Sequence, residues 1–171
     1  MITIFSMIAT LLLAITIPTK KEVKELPLKY IHNKFYLEVQ SNDSTNLLLL
    51  VDTGCHTSMF DKSLLETHGY KPVLRDFNEV DIVGVGNGRM SSNFALNLRM
   101  LLSDSVNTKI QFPQYLLVKP NCKGGSVYFT TKNRTINNKK HGTVVGIVGA
   151  DFFMRYEAVI SYKDRTISLL I

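Results

Sequence analysis

The sequence predicts an all-β domain, a barrel or sandwich carrying one or two short helices. Three observations carry that prediction. From Leu26 onward, short runs of β-branched, leucine and aromatic residues recur between clusters of turn residues. Hairpin signals lie between such runs at His32-Asn33-Lys34 and at Asn87-Gly88. Helix start and stop chemistry is confined to two brief stretches, Asp61–Gly69 and Asp151–Tyr156.

Taken in order, Leu28–Ile31 and Phe35–Val39 read as the first hairpin. Ser41-Asn42-Asp43-Ser44-Thr45 is turn chemistry. Leu47–Val51 is apolar without alternation, the pattern of a strand covered on both faces. Asp61 is placed to cap a short helix, with Gly69 where a terminating glycine belongs. Val80–Val83 and Phe94–Leu98 flank a glycine-rich tip, Gly84-Val85-Gly86-Asn87-Gly88. Further strands are expected at Ile110–Val118, at Val127–Phe129 within a long polar stretch, and at Val144–Gly149. Asp151 is expected to cap the second helix, with a role at the edge of a site as the second reading. Ala158–Tyr162 and Thr166–Leu170 close the chain as a hairpin around Lys163-Asp164.

Residues 1–18 differ from the rest. They hold 13 apolar side chains and no charge, followed by Lys20 and Lys21. The run reads as a secretory signal, weak in its basic start and cleavage site, or as a membrane anchor of minimal length, with a buried N-terminal element as the lesser alternative. The signal and anchor readings make the protein exported or membrane-attached, in the periplasm, the envelope or the medium, and they disagree on the side of the membrane. Residues 19–25 read as a charged linker and 26–171 as one domain, with no repeat.

Composition narrows the function classes. With 45% hydrophobic residues the chain is not disordered. The net charge of +6 is modest, and the basic stretch Lys132–His141 has no interleaved aromatics, so no nucleic-acid partner is expected. Cys55 and Cys122 are too few for a disulfide scaffold, and neither they nor His32, His56, His68 and His141 have zinc-type spacing. No metal and no cofactor is expected.

The chemistry concentrates at Leu47–Phe60, LLLLVDTGCHTSMF. An apolar strand ends in the carboxylate Asp52, a hydroxyl at Thr53, then Gly54. A carboxylate in such a place needs hydrogen-bond donors, since burying it bare costs several kcal/mol. Gly54 lets backbone N–H groups approach it and Thr53 can brace the turn. A plain turn after a core strand would use the same tripeptide.

Leu49-Leu50-Val51-Asp52-Thr53-Gly54, with the small Cys55 and with Ser58 four positions after the glycine, resembles the active-site segment of aspartic proteases. Val83–Gly88 stands where that family has its flap. Gly146-Ile147-Val148-Gly149-Ala150-Asp151 looks like its hydrophobic-hydrophobic-glycine element, and Ala158–Leu169 resembles the last hairpin of the retropepsin-like members. The resemblance spans roughly Leu26 to Ile171. It implies a closed retropepsin-like acid protease barrel and an aspartic endopeptidase with Asp52 catalytic, Thr53 and Gly54 in support, and Gly84, Val85, Gly86, Asn87 and Gly88 as flap. Ile82, Val83 and Ile147 are the candidate pocket residues.

The family's chemistry needs two carboxylates sharing a proton. Only one Asp-[Ser/Thr]-Gly is present, since Asp104-Ser105 is followed by Val106. The second carboxylate is therefore expected from Asp52 of another copy in a homodimer, the two-fold way of juxtaposing identical residues. The expected partners are that second copy and a polypeptide substrate. The alternative is a non-catalytic module that keeps this fold for peptide binding or dimerisation. Cys55, where the family often has alanine, and the stretch Lys119–Gly142, longer than in compact viral enzymes, are the departures. A Cys55 nucleophile served by His68 or His141 is the remote alternative.

Overall fold

The computed structural model describes residues 21–83, 89–103, 108–118 and 142–171. Among them are strands β1 (Val23–Ile31), β2 (Lys34–Gln40), β3 (Asn46–Val51), β4 (Met59–Asp61), β5 (Val73–Val83), β6 (Arg89–Leu102), β7 (Lys109–Val118), β8 (Thr143–Val148), β9 (Val159–Ser161) and β10 (Thr166–Leu170). Helices α1 (Lys62–Thr67) and α2 (Ala150–Arg155) follow β4 and β8. The strands pair in the order β5-β6-β7-β4-β8-β3-β2-β1-β10-β9, and β6 also meets β2, which closes six strands into a barrel. The all-β barrel with short helices is thus the architecture found.

The unbroken apolar run in β3 follows from its place at the centre. Successive side chains of a strand point to opposite faces. Leu47 and Leu49 enter a large cluster with Leu37, Val39, Phe60 and Leu117. Leu48 and Leu50 enter a second cluster with Tyr36, Met59, Leu116 and Ile147. A strand between two cores has no solvent face to make polar. β7 does the same at its end, sending Tyr115 and Leu117 into one cluster and Leu116 and Val118 into the other.

β3 and β8 run parallel, Leu50 opposite Ile147 and Val51 opposite Val148, with a register shift between Leu48 and Leu49. Gly146 lies under Phe60, where a Cβ would come within 2.4 Å of the ring and 2.9 Å of the Met59 carbonyl. That contact seats β4 on β8. β4 itself is not evident in the sequence, since three residues show no period.

The first hairpin turns at His32 and Asn33, both left-handed with φ of 48° and 62°, which suits the twist of the flanking strands. Asp61 caps α1, its Oδ1 accepting from Leu64 N at 3.0 Å. Gly69 follows the helix with φ of +80°. α2 is fixed by Phe152, buried and stacked on Phe112 at 5.6 Å, and by Tyr156, whose hydroxyl accepts from Gln111 N at 2.6 Å.

Two expectations change. Val23–Glu25, read as linker, extend β1: Val23 pairs with Leu170 and Glu25 with Ser168. Burial rather than residue type alternates there: Val23 and Glu25 are exposed on one face, while Lys24 is partly buried and Leu26 buried on the other. β1 then leaves β10 for β2 after Pro27, a residue with no N–H to donate. Asp151 does not cap α2 either. Gly149 occupies that position without a side-chain bond, and Asp151 sits in the first turn, its carboxylate accepting from Ser58 as well as from Phe152 N.

Residues 1–18, Cys122 and the strand expected at Val127–Phe129 lie outside the described residues. Among the described residues, no helix is long and apolar enough to cross a membrane.

Candidate active site

Asp52 stands at the end of β3, half-buried, where the strand leaves the sheet. Its N–H donates to the Val148 carbonyl at 3.2 Å, continuing the parallel pairing by one residue. Gly54 N donates to Asp52 Oδ1 at 3.0 Å. A Cβ on Gly54 would lie 3.3 Å from that same oxygen, so the absent side chain keeps the carboxylate where it is. The turn is braced by backbone, with Cys55 N donating to the Asp52 carbonyl at 3.1 Å. Thr53 and Gly54 are exposed.

The loop from Asp52 to Ser58 lies against the start of α2. Ala150 N donates to the Cys55 carbonyl at 2.8 Å and Asp151 N to that of His56 at 3.3 Å. A Cβ on Gly149 would stand 2.6 Å from the Cys55 oxygen, so only glycine admits this approach. At the far end, Ser58 is fully buried. Its hydroxyl donates to Asp151 Oδ1 at 2.6 Å and accepts from Gly149 N at 3.1 Å. The same Asp151 oxygen accepts from Ser58 N at 2.9 Å and Phe152 N at 2.8 Å.

Cys55 is half-buried, its Sγ–H donating to the Thr57 carbonyl at 3.1 Å. Burial pushes the thiol's pKa up and the Asp52 carboxylate adds to the rise; the contact with Thr57 opposes it and Asp151 adds a little more. A thiol held protonated is a poor nucleophile. His68 sits after α1, its Nδ1 3.7 Å from Asp43. Among the described residues no group of three or more His, Cys, Asp or Glu is arranged to hold a metal ion.

The other residues singled out by sequence divide. Ile82 is partly buried and packs on the second apolar cluster, as does Cys55, so the end of β5 and the Asp52 loop share one apolar floor. Ile147 is 1% exposed and belongs to that floor's interior, a core side chain rather than a pocket wall. The backbone of Val83 pairs with Arg89 at the base of the β5–β6 hairpin. Gly84, Val85, Gly86, Asn87 and Gly88, the expected flap, lie outside the described residues. The Ser58–Asp151 pair was missed: its partners are separated by 93 positions, and no local pattern links them.

No family model matches the chain, and none of the curated proteins does. Solved structures do. The retroviral protease-like domain of Ddi1 from Leishmania major is 17% identical, covering 84% of this chain and 88% of that one, with a TM-score of 0.50. A retropepsin-like aspartic protease from Rickettsia conorii is 14% identical over 87% of this chain and 92% of that one, TM-score 0.46. The EIAV protease complexed with the inhibitor HBY-793 is 16% identical over 74% and 91%, TM-score 0.43. The likeness to the Leishmania domain is one of fold.

Proposed function

We propose that this chain, with its retropepsin-like fold, is an aspartic endopeptidase that activates water between two Asp52 carboxylates, one from each chain of a homodimer. The observation that carries the reading is the placement of Asp52. A carboxylate ends a doubly buried strand, receives the Gly54 N–H at 3.0 Å, and stays half-exposed on a loop held by β8 and α2.

Two such groups brought together cannot both ionise easily, so the pair holds one proton. The charged member takes a proton from water as the water attacks the peptide carbonyl. The protonated member gives its proton to the carbonyl oxygen; the proton taken from water then passes to the leaving nitrogen, and the diol returns one proton to the dyad as it collapses to the acid. The apolar floor beneath Cys55 and Ile82 suits substrates with apolar side chains near the scissile bond. The apolar run 1–18 gives the domain an exported or membrane-attached place.

Cleavage of a mixed peptide library tests the reading, with a statine-type inhibitor as control. Asp52→Asn removes the carboxylate from both copies of a homodimer, so activity should fall to background while fold and sedimentation persist. Wild-type activity should peak at mildly acidic pH, its limbs belonging to the pair, and activity per chain should fall on dilution. An Asp52→Asn protein that still cleaves at a comparable rate refutes the dyad. A wild type that folds and binds peptides but cleaves nothing at any pH makes the domain a binding module.

A further inference from the structure

The loop that carries Asp52 leaves β3 and re-enters the sheet as β4, with no regular structure between. Two backbone bonds from Ala150 and Asp151 hold its middle. Its far end is held by one backbone bond, Leu116 N to the Ser58 carbonyl at 3.0 Å, and by the clasp of Ser58 and Asp151.

That clasp is saturated. The Ser58 hydroxyl uses its proton on Asp151 and a lone pair on Gly149 N. One carboxylate oxygen of Asp151 takes three donors, Ser58 N, Ser58 Oγ and Phe152 N, at 2.6 to 2.9 Å. Bonds to a charged acceptor are the strong kind, and three donors converging on one oxygen suit a carboxylate better than a hydroxyl. The chain of contacts is short. Asp151 fixes Ser58, Ser58 fixes the Gly149 amide, and the residue before Gly149 supplies the Val148 carbonyl that receives the Asp52 N–H at 3.2 Å. α2 is in turn anchored on β7 through Phe152 and Tyr156, so the carboxylate of Asp151 is itself held firmly.

We infer that Asp151 is a positioning residue for Asp52: through Ser58 it sets the angle at which the Asp52 turn leaves β3, and so the distance at which two such turns can share a proton. The inference rests on the proposed role of Asp52 for its effect on turnover, and on the clasp alone for its effect on the loop. A misplacement of about 1 Å costs on the order of 10²-fold in rate.

The experiment compares wild type, Asp151→Ala, Asp151→Asn, Ser58→Ala and the Ser58→Ala/Asp151→Ala double variant. Amide exchange and peptide turnover are read together, at protein concentrations where each variant is folded by circular dichroism and sediments as wild type does. In Asp151→Ala the Ser58 and Gly149 amides should exchange at least about 10-fold faster, since both bonds pass through the clasp. Turnover should fall about 10²-fold in kcat with KM within about 2-fold, as expected for lost alignment rather than lost binding. Asp151→Asn keeps an acceptor oxygen and should recover most of both. The double variant should be no worse than Asp151→Ala, because the two side chains act as one unit. Should Asp151→Ala not fold, Ser58→Ala carries the test through the Gly149 amide and kcat.

A folded Asp151→Ala protein with unchanged Ser58 and Gly149 exchange overturns the inference, and so does one with loosened amides but wild-type kcat. If wild type itself cleaves nothing, the proposed activity falls, and the exchange measurements alone decide whether Asp151 holds the loop.

Discussion

Gly149→Ala tests the close packing on which the site depends. Gly149 has φ of −110° and ψ of −167°, extended backbone that any residue adopts, so the substitution carries no conformational penalty. The penalty is steric. The new Cβ would lie 2.6 Å from the Cys55 oxygen, 3.1 Å from the Thr57 carbonyl carbon and 3.2 Å from that of Cys55. All three are backbone atoms, so no side chain can swing away. The Asp52 loop must withdraw, which stretches the Ala150–Cys55 bond, now 2.8 Å, and the Gly149–Ser58 bond, now 3.1 Å. Overpacking of this kind costs about 1–3 kcal/mol. Two weakened hydrogen bonds add about 1 kcal/mol each. The stiffer unfolded chain returns about 0.4–1 kcal/mol. The net loss is about 2–4 kcal/mol, a large part of the roughly 5–15 kcal/mol that a domain has. In urea, with a slope of about 2 kcal/mol per molar, the midpoint should fall by about 1–2 M. The chain has no tryptophan, so far-ultraviolet circular dichroism is the signal to follow. A midpoint within about 0.3 M of wild type would show that the loop is not packed against Gly149 as described.

Two further outcomes are expected. Because burial and the Asp52 carboxylate raise the Cys55 thiol, its alkylation by iodoacetamide at neutral pH should be slower than that of a small free thiol and should climb only at alkaline pH. By linkage, the stability associated with this group is fully present below the unfolded thiol's pKa of about 8.5 and is lost as pH rises through the higher folded value; alkylation at pH 7 as fast as in the unfolded chain would contradict the assignment. Asp61→Ala should cost about 1–2 kcal/mol in thermal or urea unfolding, through loss of the cap on Leu64 N, and Asp61→Ser should recover most of it.

Much of the fold was legible because its physics is local. A strand buried on both faces must be apolar throughout, and Leu47–Val51 could be read that way; the two clusters it separates are the reason. The cap at Asp61 and the stop at Gly69 are decided within one turn of helix, and both stand as read. The position of Asp52 was visible as a carboxylate ending an apolar strand. What was not legible depends on pairs far apart in the chain. Asp151 looked like a cap because a helix follows it, but the bonds its carboxylate makes across to Ser58 are set by the docking of β8 beside β3. Ile147 read as a pocket residue, being apolar and next to the motif, whereas β8 points it inward. Val23–Glu25 looked like linker because their partner strand lies at the other end of the sequence.

That last pairing governs how the protein can be made. β1 is among the first parts of the domain to leave the ribosome, and β10, which covers its N-terminal half, is among the last. At synthesis rates of about 5–20 residues per second the first strand waits on the order of 10–30 s for its partner. Contacts of such long sequence separation form slowly even in a complete chain. Until Thr166–Leu170 emerge, the edge of β1 from Val23 to Pro27 has no strand beside it, and folding cannot run to completion. A chain handed to a translocation machine during that interval would still be threadable. The knot of bonds between Glu22 and Ile171, each donating to the other's carbonyl at 2.8 Å, would then be tied only at the destination.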